Sequence, residues 1–326
     1  MILTFPRAAR SLAALGAVVL AATACGSGSS SGGSAAGGSI GKSYQLSGAE
    51  FTVAGKEFTE QQVLAHITAN ALEAAGAKVK IQSLTGSDTV RTALTSGRID
   101  MYWEYDGTAW LSYLKHTDPI KDPQQQYQSV ASADLAQNHI KWLTPAKFSD
   151  AYGVAMSGQA SGPLAQVNTI SDMAALVHAH PDLATFCGAA EFINRNDGLP
   201  AFEQAYGFKF PASNIKTVDL AIDYTAVAKG DPCNFAEIFT TDGRIQTLKL
   251  KVLTDDKAAF GSYVPALNVR DEVYKKYAKQ LDGIAADLGK KLDTPTMQEL
   301  NKEVDVDGMT AADVAKKWMS KNGFTS

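Results

Sequence analysis

An alternation of short β-rich runs with helical patterns, which begins at Ala49 and continues to the end of the chain, most constrains the fold. The β-rich run AEFTVAGK is followed by a helical pattern whose apolar residues between Val63 and Leu72 share one face. Thr59 and Gln62, three residues apart, predict a capping box at the start of that helix. Repeated strand–helix units are typical of α/β folds with largely parallel sheets. The sequence therefore predicts an α/β architecture.

The length of the chain predicts more than one domain. The chain has 326 residues, of which 45% are apolar, and single hydrophobic cores stop growing near about 250–300 residues. The order of the patterns suits two α/β lobes joined by two crossover hinges, with the second lobe inserted into the first. We place lobe 1 at residues 44–150 plus 256–326 and lobe 2 at residues 151–255.

The first 24 residues have the pattern of a secretory signal peptide. Arg7 and Arg10 precede an uncharged apolar run, Ser11–Ala24, which is shorter than the roughly 20 residues of a membrane-spanning helix. The run ends in AATAC, which resembles the lipobox of bacterial lipoproteins, although Ala22 stands where Leu is usual. The resemblance implies that Cys25 is acylated and becomes the new N-terminus.

A Gly/Ser/Ala tract follows Cys25 directly. Gly26 to Ser39 contains only these three residue types, which cannot bury enough apolar surface to fold. We predict a flexible tether over residues 25–43, with the folded part beginning near Tyr44. The protein is then lipid-anchored at the extracytoplasmic face of the cell membrane.

Two further cysteines, Cys187 and Cys233, lie in strand patterns of the predicted second lobe. An oxidising exterior favours a disulfide between them. Two separate buried thiols remain the alternative.

Several classes of function lack support in the sequence. The net charge of −4 provides no basic surface for nucleic acid. No P-loop, zinc-type cysteine pattern or dinucleotide fingerprint is present, and the five histidines lack metal-ligand spacing. We therefore predict neither an enzyme nor a bound metal or cofactor.

The stretch RIDMYWEYDGTAW, Arg98 to Trp110, gathers aromatic rings and carboxylates beside a glycine. A quaternary ammonium has no hydrogen to donate, so a protein holds it by surrounding it with electron-rich ring faces. Each desolvated cation–π contact contributes about 1–2 kcal/mol. Tyr102, Trp103 and Trp110 are interpreted as packing around such a site, and Glu104 as an exposed or bridging residue.

Several segments of the folded part, in order, resemble the extracytoplasmic substrate-binding proteins of osmoprotectant ABC transporters, of the ProX/OpuC type. They are GKEFTEQQVLAH, SGRIDMYWEYDGTAW, FSDAYGVAMS, FINRNDG, FTTDGRIQTLKLKVLTDDKAAFGSYVPA and ELNKEVDVDGMTAADVAKKW. The family binds glycine betaine, choline and related compounds. The resemblance implies a periplasmic-binding-protein-like fold of type II, whose lobes close on the ligand.

The family's aromatic box corresponds to Tyr105, Tyr152, Phe239 and Tyr263 in this chain. Phe239 departs from the pattern, because Tyr is common there; the ring face is kept and the hydroxyl is lost. Simple core packing is the alternative for Phe239.

For the carboxylate of a betaine, the family pattern places donors at Lys56, Thr108 and Arg195, and Asp150 near the cationic end. Surface solvation or an ion pair between lobes is the alternative for Lys56 and Arg195. Gln62 matches a ligand-contacting position in some members, and its role in the capping box is the competing interpretation.

These expectations describe a monomeric binding protein that captures a quaternary-ammonium osmoprotectant, glycine betaine first, and presents it to an ABC permease. A protein of the same fold for choline or carnitine only, or for a polar solute such as an amino acid, is one alternative. A secreted hydrolase or adhesion lipoprotein on a borrowed fold is another.

Overall fold

The computed structural model describes residues 38–117 and 120–326. The predicted signal peptide, the predicted acylation site Cys25 and the start of the predicted tether lie outside these residues. None of the helices in the described part of the chain is both long enough and apolar enough to cross a membrane.

The strands form two five-stranded sheets. Their bounds are β1 Glu50–Lys56, β2 Lys78–Leu84, β3 Met101–Tyr105, β4 Ile140–Trp142, β5 Tyr152–Ser157, β6 Phe186–Gly188, β7 Ile215–Thr217, β8 Phe235–Phe239, β9 Leu250–Val252 and β10 Pro265–Arg270. The first sheet has the order β2-β1-β3-β10-β4 and the second β7-β6-β8-β5-β9.

Helices connect most of the strands. Their bounds are α1 Ser39–Ser43, α2 Thr59–Ala74, α3 Ser87–Thr95, α4 Asp106–Thr108, α5 Pro123–Asn138, α6 Ile170–Ala179, α7 Ala190–Asn194, α8 Leu199–Tyr206, α9 Leu220–Lys229, α10 Arg244–Thr247, α11 Asp271–Gly289, α12 Thr294–Asp305 and α13 Ala311–Lys321. A π-helical turn, Ala109–Tyr113, continues α4, and 3₁₀ turns occupy Gly162–Gln166 and Ala212–Asn214.

Each sheet is mixed, whereas the sequence predicted largely parallel sheets. In the first sheet β1, β2 and β3 are parallel, and β10 is antiparallel to both β3 and β4. In the second sheet β6, β7 and β8 are parallel, and β5 is antiparallel to β8 and β9. The antiparallel strands β5 and β10 each follow a crossing of the chain from one sheet to the other. The second sheet is therefore inserted between β4 and β10 of the first, as the two-crossover prediction requires.

The two sheets pack in separate hydrophobic cores. Helices α2, α12 and α13 cover one face of the first sheet, around Val63, Leu64 and Trp103. The second core contains Phe186, Phe192 and Phe235, all wholly buried. Separate cores are what allow two lobes to move as units.

Part of the segment predicted as tether is folded. Helix α1 lies inside the segment predicted as tether, and Ile40 is wholly buried in the first core. The Ser39 backbone N–H also donates to the Gly323 carbonyl near the C-terminus, at 2.9 Å. Residues 39–43 therefore belong to the folded part.

The capping box predicted at Thr59 and Gln62 is wrong. Phe58 occupies the N-cap position of α2, without a side-chain cap, and Thr59 is already helical. The Thr59 hydroxyl instead donates to Asp305 Oδ1 of α12 at 2.5 Å. Because Thr59 is the first helical residue and not the residue before it, its side chain does not stand in the capping position.

Cys187 and Cys233 form a disulfide in the second lobe. Their Sγ atoms are 2.06 Å apart, and both residues are wholly buried. Cys187 lies in β6, and Cys233 leads into the neighbouring strand β8. The bridge therefore links two adjacent strands whose far ends reach the cavity described next.

Candidate ligand-binding site

A cavity of about 850 Å³ is lined by residues from both sheets. Lys56 and Tyr105 end β1 and β3 of the first sheet, and Tyr152 and Phe239 lie where β5 begins and β8 ends in the second. The carboxyl ends of parallel strands are the usual place for a ligand in α/β folds. The topology therefore brings side chains far apart in sequence to one space.

Eight of the nine residues predicted to contact ligand line this cavity: Lys56, Tyr105, Thr108, Asp150, Tyr152, Arg195, Phe239 and Tyr263. Gln62 does not. Its Nε2 donates to the Lys56 carbonyl and to Ser83 Oγ, which holds it against the first sheet. Its neighbour Gln61 is the buried residue that reaches the site, donating to the Tyr105 hydroxyl at 3.1 Å.

Aromatic rings form a continuous wall of the cavity. We call this wall the aromatic cage; it consists of Phe58, Tyr105, Tyr152, Phe239 and Tyr263. The Tyr152 ring centroid lies 5.1 Å from that of Phe239 and 5.8 Å from that of Tyr263. The Phe58 ring lies between the rings of Phe239 and Tyr105, with centroid distances of 5.3 Å and 6.3 Å. Phe58 was missed in the sequence; its position two residues after the end of β1 was the available signal.

Strand register explains why two of these rings meet. Tyr152 of β5 and Phe239 of β8 are direct partners in an antiparallel pair, so their side chains stand on the same face of the sheet. Slipping one strand by a single residue would turn one ring away. The second sheet therefore fixes half of the aromatic wall.

A glycine allows the ring of Tyr263 to pack closely. A Cβ on Gly107 would lie 2.6 Å from the Ser262 carbonyl oxygen and 2.8 Å from the Tyr263 ring. Only glycine permits that approach. The neighbouring Asp106 accepts the Val264 N–H at 2.8 Å, which fixes the same returning segment. The glycine of the YDGT stretch thus serves close packing between the first lobe and the returning chain.

Glu104 is buried. Of its two interpretations, exposed or bridging, the exposed one is therefore wrong. Its carboxylate accepts hydrogen bonds from Lys56 Nζ at 2.8 Å and from the hydroxyls of Tyr102 and Tyr113, both at 2.7 Å. Lys56 is itself buried, and its Nζ lies 5.3 Å from the Tyr105 ring centroid. The ion pair compensates the charge of Lys56 while holding the ammonium beside the cage.

Arg195 is also ion-paired. Its guanidinium donates to Asp197 and, at 2.8 Å, to Glu191 Oε1, and it lies 3.5 Å from the Thr108 hydroxyl. Its Cζ is 6.0 Å from the Tyr152 ring centroid. Asp197 in turn accepts from the Tyr263 hydroxyl at 3.2 Å. This cluster ties the second lobe to a cage ring and to α4 of the first lobe.

Asp150 stands at the acidic end of the cavity. Its Oδ1 lies 2.7 Å from the Thr241 hydroxyl, and its Oδ2 is buried with no hydrogen-bond partner among the residues that the structure describes. The same Thr241 hydroxyl lies 2.6 Å from Glu60 Oε2, and Tyr105 donates to Glu60 Oε1 at 2.7 Å. Burial raises the pKa of Glu60 to about 7, and burial together with the nearby Glu60 raises the pKa of Asp150.

The lining as a whole is acidic. Among the described lining residues, six are acidic (Glu57, Asp150, Glu191, Asp219, Glu237 and Asp305) and three are basic (Lys56, Arg195 and Arg244). Each basic residue has a carboxylate partner, as Arg244 does in Asp242. A cation entering the aromatic wall therefore meets a negative environment. No group of three or more metal-ligating side chains is found in the described part of the chain.

Residues 49–321 match a known family, described as the substrate binding domain of ABC-type glycine betaine transport systems. The chain is 34% identical to the glycine-betaine-binding protein of Pseudomonas aeruginosa, over 83% of this chain and 87% of that protein. It is 33% identical to the glycine betaine-binding protein YehZ of Escherichia coli, over 84% of this chain and 90% of that protein.

Solved structures share the fold. The structure of ligand-free YehZ from Escherichia coli superimposes with a TM-score of 0.62 at 30% identity, covering 85% of this chain and 99% of that one. A glycine betaine/carnitine/choline ABC transporter structure gives a TM-score of 0.66 at 24% identity, covering 84% and 99%. The family match and the two relatives show that the chain belongs to the substrate-binding domains of ABC-type glycine betaine transport systems.

Proposed function

We propose that the cavity binds a quaternary-ammonium osmoprotectant, with glycine betaine the first candidate. The observation that carries this proposal is the wall of five aromatic rings, Phe58, Tyr105, Tyr152, Phe239 and Tyr263, beside a buried carboxylate. Ring faces and a carboxylate are what a methylated ammonium needs. The names of the two relatives support glycine betaine as the ligand.

The protein is a solute-binding component of an ABC transporter, not an enzyme, and works outside the cytoplasm with permease subunits. Ligand that contacts both lobes favours the closed state through its higher affinity for that state. We propose lobe boundaries at residues 44–150 plus 256–326 and 151–255, with residues 39–43 added to the first lobe. We also propose that the protein acts as a monomer.

The donors for a ligand carboxylate are Lys56 and Arg195. Lys56 Nζ lies 5.3 Å from the centroid of the Tyr105 ring, and Arg195 Cζ lies 6.0 Å from that of the Tyr152 ring. An ammonium has three N–H donors and a guanidinium five, so each ion pair leaves donor capacity. The short span between cage and donors suits a betaine in which one carbon separates nitrogen and carboxylate.

Choline or carnitine is the second candidate. Of these two, only choline lacks a carboxylate, and a lining with more acidic than basic groups favours it. A cation without a carboxylate would lose the contacts to Lys56 and Arg195 and keep those to the rings and Asp150. The ratio of the affinities for glycine betaine and choline tests which end of the site dominates. A polar amino acid lacking the methylated nitrogen is the remaining alternative.

We further propose a signal peptide over residues 1–24 and a lipid anchor on Cys25, since both rest on the sequence alone. Mass spectrometry of the mature protein from membranes tests them. Diacylglycerol on an N-terminal Cys25 is expected, and an unmodified residue at the mature N-terminus would contradict the anchor.

The aromatic wall is tested by removing single rings. Tyr105→Ala and Tyr263→Ala should each weaken glycine betaine binding by about tenfold, because one cation–π wall contributes about 1–2 kcal/mol. Titration calorimetry on folded protein measures the change. Phe186→Leu is the matched control, since Phe186 is wholly buried in the second core and does not line the cavity. Equal weakening by all three would contradict the assignment.

A further inference from the structure

The Glu60–Thr241–Asp150 cluster contains one hydroxyl hydrogen for two acceptors. The Thr241 hydroxyl lies 2.6 Å from Glu60 Oε2 and 2.7 Å from Asp150 Oδ1, both hydrogen-bond distances. A hydroxyl has one hydrogen to donate, so it can satisfy only one of these oxygens. At the other contact the carboxyl group must supply the hydrogen. The observed geometry therefore requires one carboxyl of the pair to be protonated.

Among residues 38–117 and 120–326, neither carboxylate has a cationic partner of its own. Glu60 projects from α2 and accepts from the Tyr105 hydroxyl, and Asn301 Nδ2 of α12 lies 3.4 Å from its Oε2. Both acids are less than 4% exposed. The Thr241 backbone N–H also favours the charged form of Asp150, which partly offsets the burial. At this exposure bulk solvent stabilises a second charge only weakly, so one negative charge on the pair is favoured over two.

Other charged groups nearby do not change this balance. Asp242 and Asp305 line a small adjoining space of about 20 Å³ together with the pair and Arg244. Arg244 pairs with Asp242 and lies 3.8 Å from Asp305, so its charge is compensated. Asp242 disfavours further negative charge on the pair. The space has room for about one water molecule.

The pair also borders the aromatic cage. Asp150 lines the main cavity, and its Oδ2 is buried without a hydrogen-bond partner. Glu60 contacts the cage through the hydroxyl of Tyr105. A cation held by the rings would stand close to both acids, and it would favour their ionised forms over the protonated ones.

We infer that Glu60 and Asp150 act as a proton-exchanging counter-ion, which releases a proton to solvent when a quaternary ammonium enters the cage. This inference rests on the proposed function and adds Glu60 and Thr241 to the residues that determine specificity. A cationic ligand gains from the second negative charge, whereas a neutral ligand of the same shape does not. Affinity for the cation should then rise with pH over the range in which the pair titrates.

Calorimetry in two buffers tests the inference directly. Glycine betaine and choline are titrated at several pH values between 5.5 and 8.5, in phosphate and in Tris, whose ionisation enthalpies differ. The difference in measured heat gives the number of protons released. We expect a release between zero and one proton near pH 6.5–7, and a logarithm of the association constant that rises with pH by less than one per unit.

Glu60→Gln provides the matched variant, because Gln keeps an oxygen to accept from Tyr105 but cannot hold the proton. We expect binding with a much smaller proton release and a flatter pH dependence. Glu203→Gln is the control: Glu203 is a buried carboxyl that also has a raised pKa, caused by burial, but it does not line the cavity. On binding glycine betaine, the Glu203→Gln variant should release as many protons as the wild type.

The outcomes separate this inference from the proposed function. Binding with no proton released, or with a proton taken up, would overturn the inference and leave the proposed function standing. So would a Glu60→Gln variant indistinguishable from the wild type. No heat with any quaternary ammonium at any pH would overturn both. The wild-type measurement alone suffices if the variant does not fold.

Discussion

At the scale of single residues, the cavity brings together side chains that lie far apart in the sequence. Tyr105, Tyr152, Phe239 and Tyr263, to which the resemblance assigned the aromatic box, all line it, and their contact with a ligand stays a prediction. The ion-pair partners of the lining residues were harder to predict than the lining residues themselves. Lys56 pairs with Glu104, which lies 48 positions later, and nothing local in the sequence signals that contact.

Gln62 shows why local patterns mislead at this scale. Its spacing from Thr59 suggested a cap, but the Thr59 hydroxyl reaches Asp305 of α12, 246 positions along the chain. That contact is a hydrogen bond to a carboxylate, which is stronger than the neutral hydrogen bond of a cap. The helix begins one residue earlier than the pattern placed it, because Phe58 and not Thr59 is the N-cap.

Phe58 offers a residue-scale prediction. Because its ring lies between those of Tyr105 and Phe239, Phe58→Leu should weaken glycine betaine binding by about fivefold or more, through the loss of one cation–π face. Titration calorimetry measures it. Phe51→Leu is the control, since Phe51 lies in β1 nearby and packs against Tyr277 in the first core. A Phe58 variant with wild-type affinity would show that the ring only seals the cavity.

At the scale of elements, the alternation of strands and helices was predictable, whereas several short strands and the direction of two strands were not. The β-rich runs and helical faces appear in the sequence itself. The antiparallel placement of β5 and β10 depends on how the chain crosses between sheets, which is a property of the whole topology. Helix α1 was missed because its five residues, SIGKS, have no helical pattern; Ile40 is held by the first core.

The disulfide supports an element-scale prediction. Replacing Cys187 and Cys233 together by Ala should lower the free energy of unfolding by about 2–4 kcal/mol, because the bridge closes a loop with a sequence separation of 46. Urea denaturation measures the loss. Glycine betaine affinity should change little, since neither cysteine lines the cavity. An unchanged urea midpoint would mean that the bridge does not constrain the unfolded chain.

At the scale of the whole molecule, buried carboxyl groups predict an unusual pH dependence of stability. Burial raises the pKa of Glu60 and Asp106 to about 7 and that of Asp223 to about 8. In the unfolded chain these groups titrate near about 4. Between about pH 4.5 and 8 the native state therefore binds more protons than the unfolded state, and stability falls as pH rises.

The melting temperature of ligand-free protein should thus be higher at pH 5.5 than at pH 8. Asp223→Asn is the informative variant, because both carboxylate oxygens of Asp223 are buried without a hydrogen-bond partner. It should reduce the difference between the two pH values. A melting temperature that rises from pH 5.5 to pH 8 would contradict the prediction.

The central claim is that the cavity recognises a positive charge by its rings. The most direct measurement is titration calorimetry of residues 36–326, which keep helix α1, against two pairs of ligands. Glycine betaine is compared with 3,3-dimethylbutanoate, and choline with 3,3-dimethylbutanol; in each pair carbon replaces the charged nitrogen. We predict binding of glycine betaine or choline, with the carbon analogue weaker by about tenfold or more. Equal affinity within a pair, or no binding of any of the four, would contradict the account.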